Sequence, residues 1–263
     1  VVQNPRPSEP TTEELDGYYE LPFARRSHPR HEKEGGVPAL KTVAASIVSH
    51  RGCLADCSFC SISLHQGRNI VNRSKGSILR EVERIAAMDG FDGTITDVGG
   101  PSANMYGMEC KLGGCESRDC VGREICPNLS CDHGKYLDLL ESVARVKGVK
   151  HVFVGSGLRY DLLMTQPDVV LEKVIKRFVG GQMKVAPEHA SQKVLELMNK
   201  PSWAEYERFR DRFYRITSRL GLKRHVIPYL ITSHPGATID DEKQLLRKLE
   251  KDGFVPDQVQ DFI

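Results

Sequence analysis

Eight cysteines are the residues of this chain whose type and spacing point most directly to chemistry. Cys53, Cys57 and Cys60 lie within one short stretch, and the other five lie between residues 110 and 131. Thiolates prefer iron-sulfur clusters, zinc or copper as partners. The first thirty residues lack the apolar segment of an export signal. Closely spaced cysteines without such a signal favour metal binding over disulfides, so the sequence predicts metal centres.

The stretch RGCLADCSFC separates its cysteines by three and then by two residues. A structural zinc site or a fully ligated cluster takes four protein ligands, so three thiolates leave one metal position for a substrate or cofactor. The alternative is a structural zinc completed by a histidine such as His65. Spacing alone leaves both alternatives open.

The other cysteines lie in a segment, residues 102–134, that we interpret as an insertion. Four, four, five and four residues separate them, and glycine, proline and charged residues fill these intervals. Such a segment has little apolar surface to bury, so we expect a metal to organise it. An auxiliary iron-sulfur cluster, a structural zinc and free thiols are the alternatives. The cysteines concerned are Cys110, Cys115, Cys120, Cys126 and Cys131.

Alternating strand and helix patterns follow residue 41 and must position these cysteines. Strict alternation predicts a parallel sheet, and such sheets carry functional residues at the carboxyl ends of their strands. We therefore predict an α/β fold over residues 42–263, a partial TIM-like barrel of six parallel strands with surrounding helices. Residues 1–41 are predicted to be an extended lead-in and linker with one short helix. The predicted strands are 42–50, 94–100, 151–157, 183–189, 224–236 and 257–263, and the predicted helices are 12–19, 77–88, 135–147, 167–179, 203–221 and 239–253.

Several predicted strands end in residues suited to ligand binding. Gly99 and Gly100 end the second strand and Ser156 lies in the glycine turn after the third. Glycine lets a backbone approach a ligand closely. Arg159 follows that turn and is expected to pair with a ligand carboxylate or with the aspartate two residues later. Glu188 ends the fourth strand, where a carboxylate can accept hydrogen bonds from ribose hydroxyls.

Charge and composition narrow the classes of partner. Lys and Arg number 37 against 35 Asp and Glu, so the chain lacks the strong field of a basic nucleic-acid coat protein. Arginines of the predicted helix 203–221 are interleaved with acidic residues, which favours a solvated face over an RNA-binding one. No apolar run is long enough to span a membrane. We predict a cytoplasmic protein with no membrane partner, for which nucleic-acid binding stays open but is not indicated.

The three-cysteine stretch resembles the cluster motif of the radical S-adenosylmethionine (SAM) enzymes, CxxxCxxC with an aromatic residue, here Phe59, before the last cysteine. Six segments in order along the chain are similar to the YgiQ-type branch of that superfamily. Members of this branch are longer on both sides, so we expect the chain to be a core fragment. The segments are HRGCLADCSFCSISLHQGR, GGPSANMYGMEC, SGLRYD, KVAPEH, PYLITSHPG and DQVQDF.

This resemblance implies a cofactor for each motif. Cys53, Cys57 and Cys60 would hold three irons of a [4Fe-4S] cluster, and the fourth iron would bind the amino and carboxylate groups of SAM. A donor such as flavodoxin or ferredoxin would reduce the cluster, and SAM would be cleaved to a 5′-deoxyadenosyl radical that abstracts hydrogen from an unknown substrate. The SAM-binding residues implied in this way are Phe59, Gly99, Gly100, Ser156, Arg159 and Glu188.

Two other functions remain open from the sequence. A radical SAM methylthiotransferase acting on RNA or protein would need an auxiliary cluster to donate sulfur, and the second cysteine group would have to hold it. A protein of another class would bind zinc with both cysteine groups and RNA with its arginine-rich helix, without catalysing a reaction.

Overall fold

The computed structural model describes residues 2, 8–115, 120–256 and 259–262. Within these residues, no helix combines the length and the apolar character needed to cross a membrane. A 3-10 helix spans Ala103–Met105. The α-helices are α1 Thr12–Tyr19, α2 Pro29–Glu32, α3 Leu40–Val43, α4 Ile62–Gln66, α5 Lys75–Ala86, α6 Gly134–Val143, α7 Tyr160–Met164, α8 Asp168–Phe178, α9 Gln192–Leu197, α10 Trp203–Arg219 and α11 Ile239–Lys251. The strands are β1 Ser46–Val48, β2 His50–Arg51, β3 Val71–Asn72, β4 Thr94–Ile95, β5 Asp97–Gly99, β6 Glu109–Cys110, β7 Leu129–Ser130, β8 His151–Val152, β9 Gln182–Glu188, β10 His225–Thr232 and β11 Gln260–Asp261.

The central strands run parallel and follow one another in chain order. β1 pairs with β5, β4 with β8, β9 with β10, and β10 with β11. The Val98 amide donates to the Phe153 carbonyl oxygen at 3.1 Å, and Leu158 forms a parallel bridge with Val185. These two contacts connect the strand pairs into one continuous series. This arrangement confirms the predicted α/β fold with parallel strands. In the part of the chain that the structure describes, β1 and β11 do not pair with each other, so the sheet is not closed.

The strands are mostly shorter than the sequence patterns predict. The predicted strand 42–50 is reduced to β1 and β2, because residues 40–43 form α3 instead. Of the last predicted strand, residues 257, 258 and 263 lie outside the described residues, and β11 pairs with β10. The third predicted strand leaves the ladder after β8 and continues as the loop that carries Ser156. The carboxyl ends of the strands thus become the loops that carry the candidate site.

Helix α10 has an apolar side that packs in the core and a charged side that forms ion pairs. Phe209, Phe213 and Ile216 are fully buried against the sheet, as their helical spacing predicts. The side chain of Ser202 accepts a hydrogen bond from the Glu205 amide and caps the helix. The arginines of α10 face solvent and acidic partners, in agreement with the predicted solvated face. Their ion pairs are Arg208–Glu205, Arg210–Asp252, Arg212–Asp168, Arg215–Asp168 and Arg219–Glu172.

Helix α1 packs against the start of α5. The Thr11 side chain and Glu14 form a capping box at its first turn, and Leu15 is buried. Asp16 accepts a hydrogen bond from the Ser74 amide at 2.9 Å, which connects α1 to the first turn of α5. The lead-in is therefore in contact with α5 through α1 and through ion pairs of Glu20 and Arg25. It contains α2 and the start of α3 in addition to the one short helix predicted, and the boundary at residue 41 stays a prediction.

Candidate functional site

The three-cysteine loop, which we define as residues 52–67, leaves the sheet after β2. Gly52 has φ +87°, a conformation that favours glycine, and a side chain there would overlap the Asn69 carbonyl oxygen. β2 pairs with β3 in antiparallel register, and the Cys53 amide donates to the Gly67 carbonyl oxygen at 3.1 Å. The loop is therefore closed at its base by its own backbone.

The far side of this loop rests on the segment that follows α9. The Ser58 amide donates to the Met198 carbonyl oxygen at 3.2 Å, and its hydroxyl donates to the Leu197 carbonyl oxygen at 2.5 Å. The Asn199 side chain donates to the Asp56 carbonyl oxygen at 3.1 Å. These partners are distant in the chain, so tertiary structure fixes the position of the second half of the loop.

The three thiols of the loop influence one another electrostatically. Burial raises the pKa of the Cys53 thiol, and the nearby Cys57 adds to that rise. Cys60 shows the same pattern, since burial raises its pKa and Cys57 raises it further. Three thiolates held together in this way repel one another unless a bound cation compensates their charge. The arrangement therefore suits a metal centre.

Arg159 is buried beside the loop and pairs with Asp161. Its Nε and Nη2 atoms lie 2.9 Å and 2.5 Å from the two carboxylate oxygens of Asp161, and its Nη1 lies 3.7 Å from the Cys57 sulfur. Burial opposes the charge on Arg159, but Asp161 outweighs this effect, so the pKa of the guanidinium is raised. Of the two partners expected for Arg159, the structure shows the aspartate.

A second buried ion pair lies near Cys60. Lys200 Nζ lies 3.6 Å from Glu188 Oε1, and Lys200 is only 2% exposed. Burial raises the pKa of Glu188, and Lys200 opposes this rise. Glu188 has φ +69°, a strained conformation for a residue other than glycine. The end of β9 therefore presents a carboxylate held by a lysine that the sequence analysis did not identify.

The glycine pair packs tightly against polar residues of the protein itself. A side chain at Gly100 would overlap the His50 imidazole ring, and one at Gly99 would overlap Ser156. The carbonyl oxygen of Gly99 accepts from the Ser49 amide at 2.6 Å and from its hydroxyl at 2.9 Å. Two bonds occupy both lone pairs of that oxygen. The need for glycine at both positions thus has a packing reason.

Ser156 and Phe59, two other candidate residues, also have defined protein partners. The Ser156 amide and hydroxyl both donate to the Asp97 carboxylate, the amide at 3.0 Å. Phe59 lies 6.4 Å from the His234 ring in an edge-on arrangement and packs against an apolar cluster that contains Met198. Both residues lie at carboxyl ends of strands or in the three-cysteine loop, as predicted.

The cysteine-rich insertion packs directly on the three-cysteine loop. β6 and β7 form an antiparallel pair, and the Val121 amide donates to the Leu54 carbonyl oxygen at 3.2 Å. Val121, Leu129 and Met108 are buried in one apolar cluster with Leu54. The expectation that this segment lacks apolar surface to bury is therefore wrong for its described part, because it shares a core with the loop beneath it. Residues 116–119 lie outside the described residues.

The five cysteines of the insertion do not share one environment. Burial raises the pKa of Cys131, and Asp161 and Cys126 add to that rise. The Cys126 amide donates to the Cys120 carbonyl oxygen at 2.9 Å. Among the described residues, no three cysteine, histidine or acidic side chains converge as a single metal ion requires. A second metal site at Cys110, Cys115, Cys120, Cys126 and Cys131 remains a prediction.

Two cavities border the insertion, and the smaller one also touches the three-cysteine loop at Leu54. One has a volume of about 780 Å³ and includes Arg123, Cys126, Asn199 and Lys200 in its lining. The other has a volume of about 490 Å³ and is lined in part by residues of the insertion. The insertion thus contributes a wall to both cavities. Cysteines lining the second cavity are Cys110, Cys115 and Cys120.

Several residues of the site escaped the sequence analysis. Asn104 donates to the Arg159 carbonyl oxygen at 3.0 Å and accepts from the Arg159 amide at 2.9 Å. His133 lies 3.1 Å from the same Asn104 side chain. No local signal distinguishes these residues, because their partners are far away in the sequence.

Two histidines that follow the ends of β9 and β10 have structural partners. His189 is fully buried; its Nδ1 accepts from the Ser191 amide at 2.9 Å and its Nε2 lies 3.4 Å from a Glu242 oxygen. Burial lowers the pKa of His189, and Glu242 opposes that shift. His234 Nδ1 lies 2.9 Å from the Pro235 carbonyl oxygen. Both histidines therefore join strand ends to the loop and helix that follow.

Comparisons with known proteins agree with this architecture. Residues 1–46 match the sequence family described as Radical SAM N-terminal. A UPF0313 protein of Clostridium perfringens (strain ATCC 13124) is 47% identical over 255 residues, covering 95% of this chain and 38% of the relative. A UPF0313 protein of Methanocella arvoryzae is 45% identical over 266 residues, covering 100% of this chain and 44% of the relative. The chain thus spans about two fifths of the length of these relatives.

Two solved structures share the fold at low identity. The radical SAM methyltransferase TsrM from Kitasatospora setae, with cobalamin and a [4Fe-4S] cluster bound, superposes with a TM-score of 0.53 and 13% identity over 82% of this chain and 36% of that one. The cobalamin-dependent SAM radical enzyme OxsB, with aqua-cobalamin bound, gives a TM-score of 0.53 and 14% identity over 78% of this chain and 26% of that one. Likeness at this level concerns the fold.

The family match over residues 1–46, the UPF0313 relatives and the fold shared with two radical SAM enzymes together bear out the resemblance of this chain to the radical SAM enzymes. The chain groups with the UPF0313 relatives named above, in agreement with the YgiQ-type resemblance. This resemblance supports an enzyme over a purely binding protein.

Proposed function

We propose that this chain is the core of a radical SAM enzyme in which Cys53, Cys57 and Cys60 hold a [4Fe-4S] cluster that cleaves SAM reductively. The observation that carries the proposal is that the three thiols lie close enough to influence one another, with the buried Arg159–Asp161 and Lys200–Glu188 pairs beside them. Whole-protein activity would also involve whatever the longer relatives carry beyond the aligned region.

The donor set fits such a cluster. Thiolates are the ligands that iron-sulfur clusters prefer, and three of them leave one iron open for SAM. Each thiolate would bind a different iron, so the sulfurs need not converge on one point. This agrees with the described residues, where no three candidate ligands gather around a single position. When bound, the cluster supplies the electron that splits SAM into methionine and a 5′-deoxyadenosyl radical.

The chain's own groups would bind and orient SAM. Glu188, paired with Lys200, can accept hydrogen bonds from the ribose hydroxyls while remaining in a fixed position. The carbonyl oxygen of Gly100 is proposed to accept a hydrogen bond from the SAM amino group. The neighbouring Gly99 is held in place by the hydrogen bond from the Ser49 amide to its carbonyl oxygen. Phe59 would contact the adenine. Ser156 would complete this contact surface from the turn after β8.

The insertion would shield the reaction from water, and a separate protein would supply the electron. The insertion covers the cysteine loop through the apolar cluster that contains Val121 and would exclude water from the reacting groups. We propose a flavodoxin or ferredoxin as the reductant and a cytoplasmic location, and keep an auxiliary iron-sulfur cluster or a zinc ion at the five-cysteine segment. The substrate that loses its hydrogen atom is proposed to enter the 780 Å³ cavity.

The test is anaerobic reconstitution of the protein with iron and sulfide. We expect a broad sulfur-to-iron charge-transfer absorbance and, after addition of dithionite and SAM, release of 5′-deoxyadenosine measured by chromatography. Protein reconstituted with zinc alone serves as the control and should release none. A colourless protein that retains only zinc and releases no 5′-deoxyadenosine would refute the proposal.

A further inference from the structure

Arg159 contacts the cysteine loop and has a role beyond the pairing expected for it. We propose that Arg159 raises the reduction potential of the cluster by donating a hydrogen bond and positive charge to the sulfur of Cys57. This inference rests on the proposed function, since it concerns the cluster held by that cysteine. It makes Arg159 a positioning and tuning residue of the metal centre.

The geometry of the guanidinium carries the proposal. Arginine has five N–H donors, and Asp161 takes the Nε and Nη2 edge with distances of 2.9 Å and 2.5 Å. Nη1, outside that edge, lies 3.7 Å from the Cys57 sulfur. The Arg159 side chain is only 7% exposed, so this donor faces the protein interior. A buried N–H needs an acceptor, and the cysteine sulfur is the one placed there.

The position of Arg159 is fixed from two directions. Asp161 holds the side chain, and the Asn104 side chain holds the backbone through one hydrogen bond to the Arg159 amide at 2.9 Å and one to its carbonyl oxygen at 3.0 Å. Asn104 is itself 1% exposed. Because both ends of the residue are held, the guanidinium does not need to reorganise when the charge of the cluster changes.

The two charges of the Arg159–Asp161 pair face different parts of the site. The cation faces the loop, where Nη1 lies 3.7 Å from the Cys57 sulfur. The anion faces the insertion, where Asp161 lines a cavity together with Arg123 and Ile125. Reduction makes a cluster more negative, and a nearby cation with an N–H···S bond stabilises the reduced form more than the oxidised one. The expected sign is therefore a raised potential.

The test compares the midpoint potential of the reconstituted cluster in three variants by redox titration followed by electron paramagnetic resonance. Arg159→Lys keeps a cation but loses the planar fork, and the double variant Arg159→Met with Asp161→Met removes the pair without leaving a buried charge unpaired. Arg212→Lys is the matched control, because Arg212 forms a similar pair with Asp168 away from the cysteines. We expect more negative potentials in the first two variants and no shift in the control.

The possible results separate the inference from the function on which it rests. Unchanged potentials in Arg159→Lys, with normal iron content and folding, would overturn the inference and leave the proposed function intact. Loss of iron from folded Arg159→Lys would assign the residue to cluster retention and would also overturn it. If the unaltered protein takes up no cluster, the proposed function fails and the inference fails with it.

Discussion

The three-cysteine loop and the five-cysteine segment lie side by side, yet the protein holds them in different ways. Hydrogen bonds with the distant segment at the end of α9 fix the loop, and two buried ion pairs lie near its thiols. The segment is held by its own hairpin, β6 with β7, and by apolar contacts of Val121. One region is organised around charge, and the other around local pairing and apolar burial.

The two cysteine groups also differ in their electrostatic surroundings, which the number of cysteines does not reveal. Arg159 lowers the pKa of Cys53 while its partner Asp161 raises that of Cys131, so one ion pair gives the two groups opposite electrostatic surroundings. Thiolates, the form that binds metal, are therefore favoured by the pair in the loop and disfavoured at Cys131. Burial nevertheless remains the larger effect at both cysteines and raises the pKa of each.

The largest expected effect comes from removing one cysteine of each group. Cys57→Ala should abolish SAM cleavage, because an iron loses its thiolate and the cluster becomes labile. Cys120→Ala, the matched substitution in the segment, should leave the SAM-cleaving cluster in place. Iron content and 5′-deoxyadenosine release measure both. Cleavage retained in Cys57→Ala would refute the ligand assignment, and loss of all iron in Cys120→Ala would show that the two groups share one site.

A second substitution tests the base of the loop. Gly52→Ala places a side chain against the Asn69 carbonyl oxygen at φ +87°, so we expect a loss of about 3 kcal/mol or more in the free energy of unfolding. Gly221→Ala is the control, because it has φ +63° but open space around it, and should lose about 1 kcal/mol. Urea denaturation measures both. Equal losses would show that the contact at Gly52 does not constrain the loop.

A pH series tests the histidine beneath the glycine pair. Burial lowers the pKa of His50 from 6.5 to about 4, so its stabilising contribution is complete above pH 6.5 and is lost as the pH falls toward 4. The loss should reach about 3 kcal/mol in the free energy of unfolding. His50→Gln should remove this pH dependence, whereas substitution of the exposed His65 should not. Identical pH profiles for the unaltered protein and His50→Gln would contradict the expectation.

The smallest expected effect concerns the contact between the two regions. Val121→Ala removes buried apolar surface that the segment shares with the loop, and should lower the free energy of unfolding by about 2 kcal/mol. Val169→Ala, at a position that is 66% exposed, should change it by less than about 0.5 kcal/mol. If Val121→Ala behaves like its control, the segment does not depend on the loop for its packing.

Much of the fold could be predicted because its signals are local. The apolar spacing of α5 and α10 and the glycines after the strands lie within short windows, and both are found where the patterns indicate. Strand lengths were overestimated, since an apolar pattern continues into a loop whether or not the backbone keeps its ladder bonds. The hairpin of β6 and β7 was missed, because few apolar residues mark it and its core is completed by Leu54 of another loop.

The sequence by itself determined which residues are candidate metal ligands, since three cysteines at fixed spacing carry their ligand character wherever the chain places them. It also determined the alternation of strands and helices that brings strand ends together. Tertiary structure alone decided the charge around those cysteines: Lys200 meets Glu188, and Arg159 meets Cys57, across long stretches of chain. Electrostatic effects of this kind depend on the distance between charges and on their burial, and neither quantity can be read from the sequence alone.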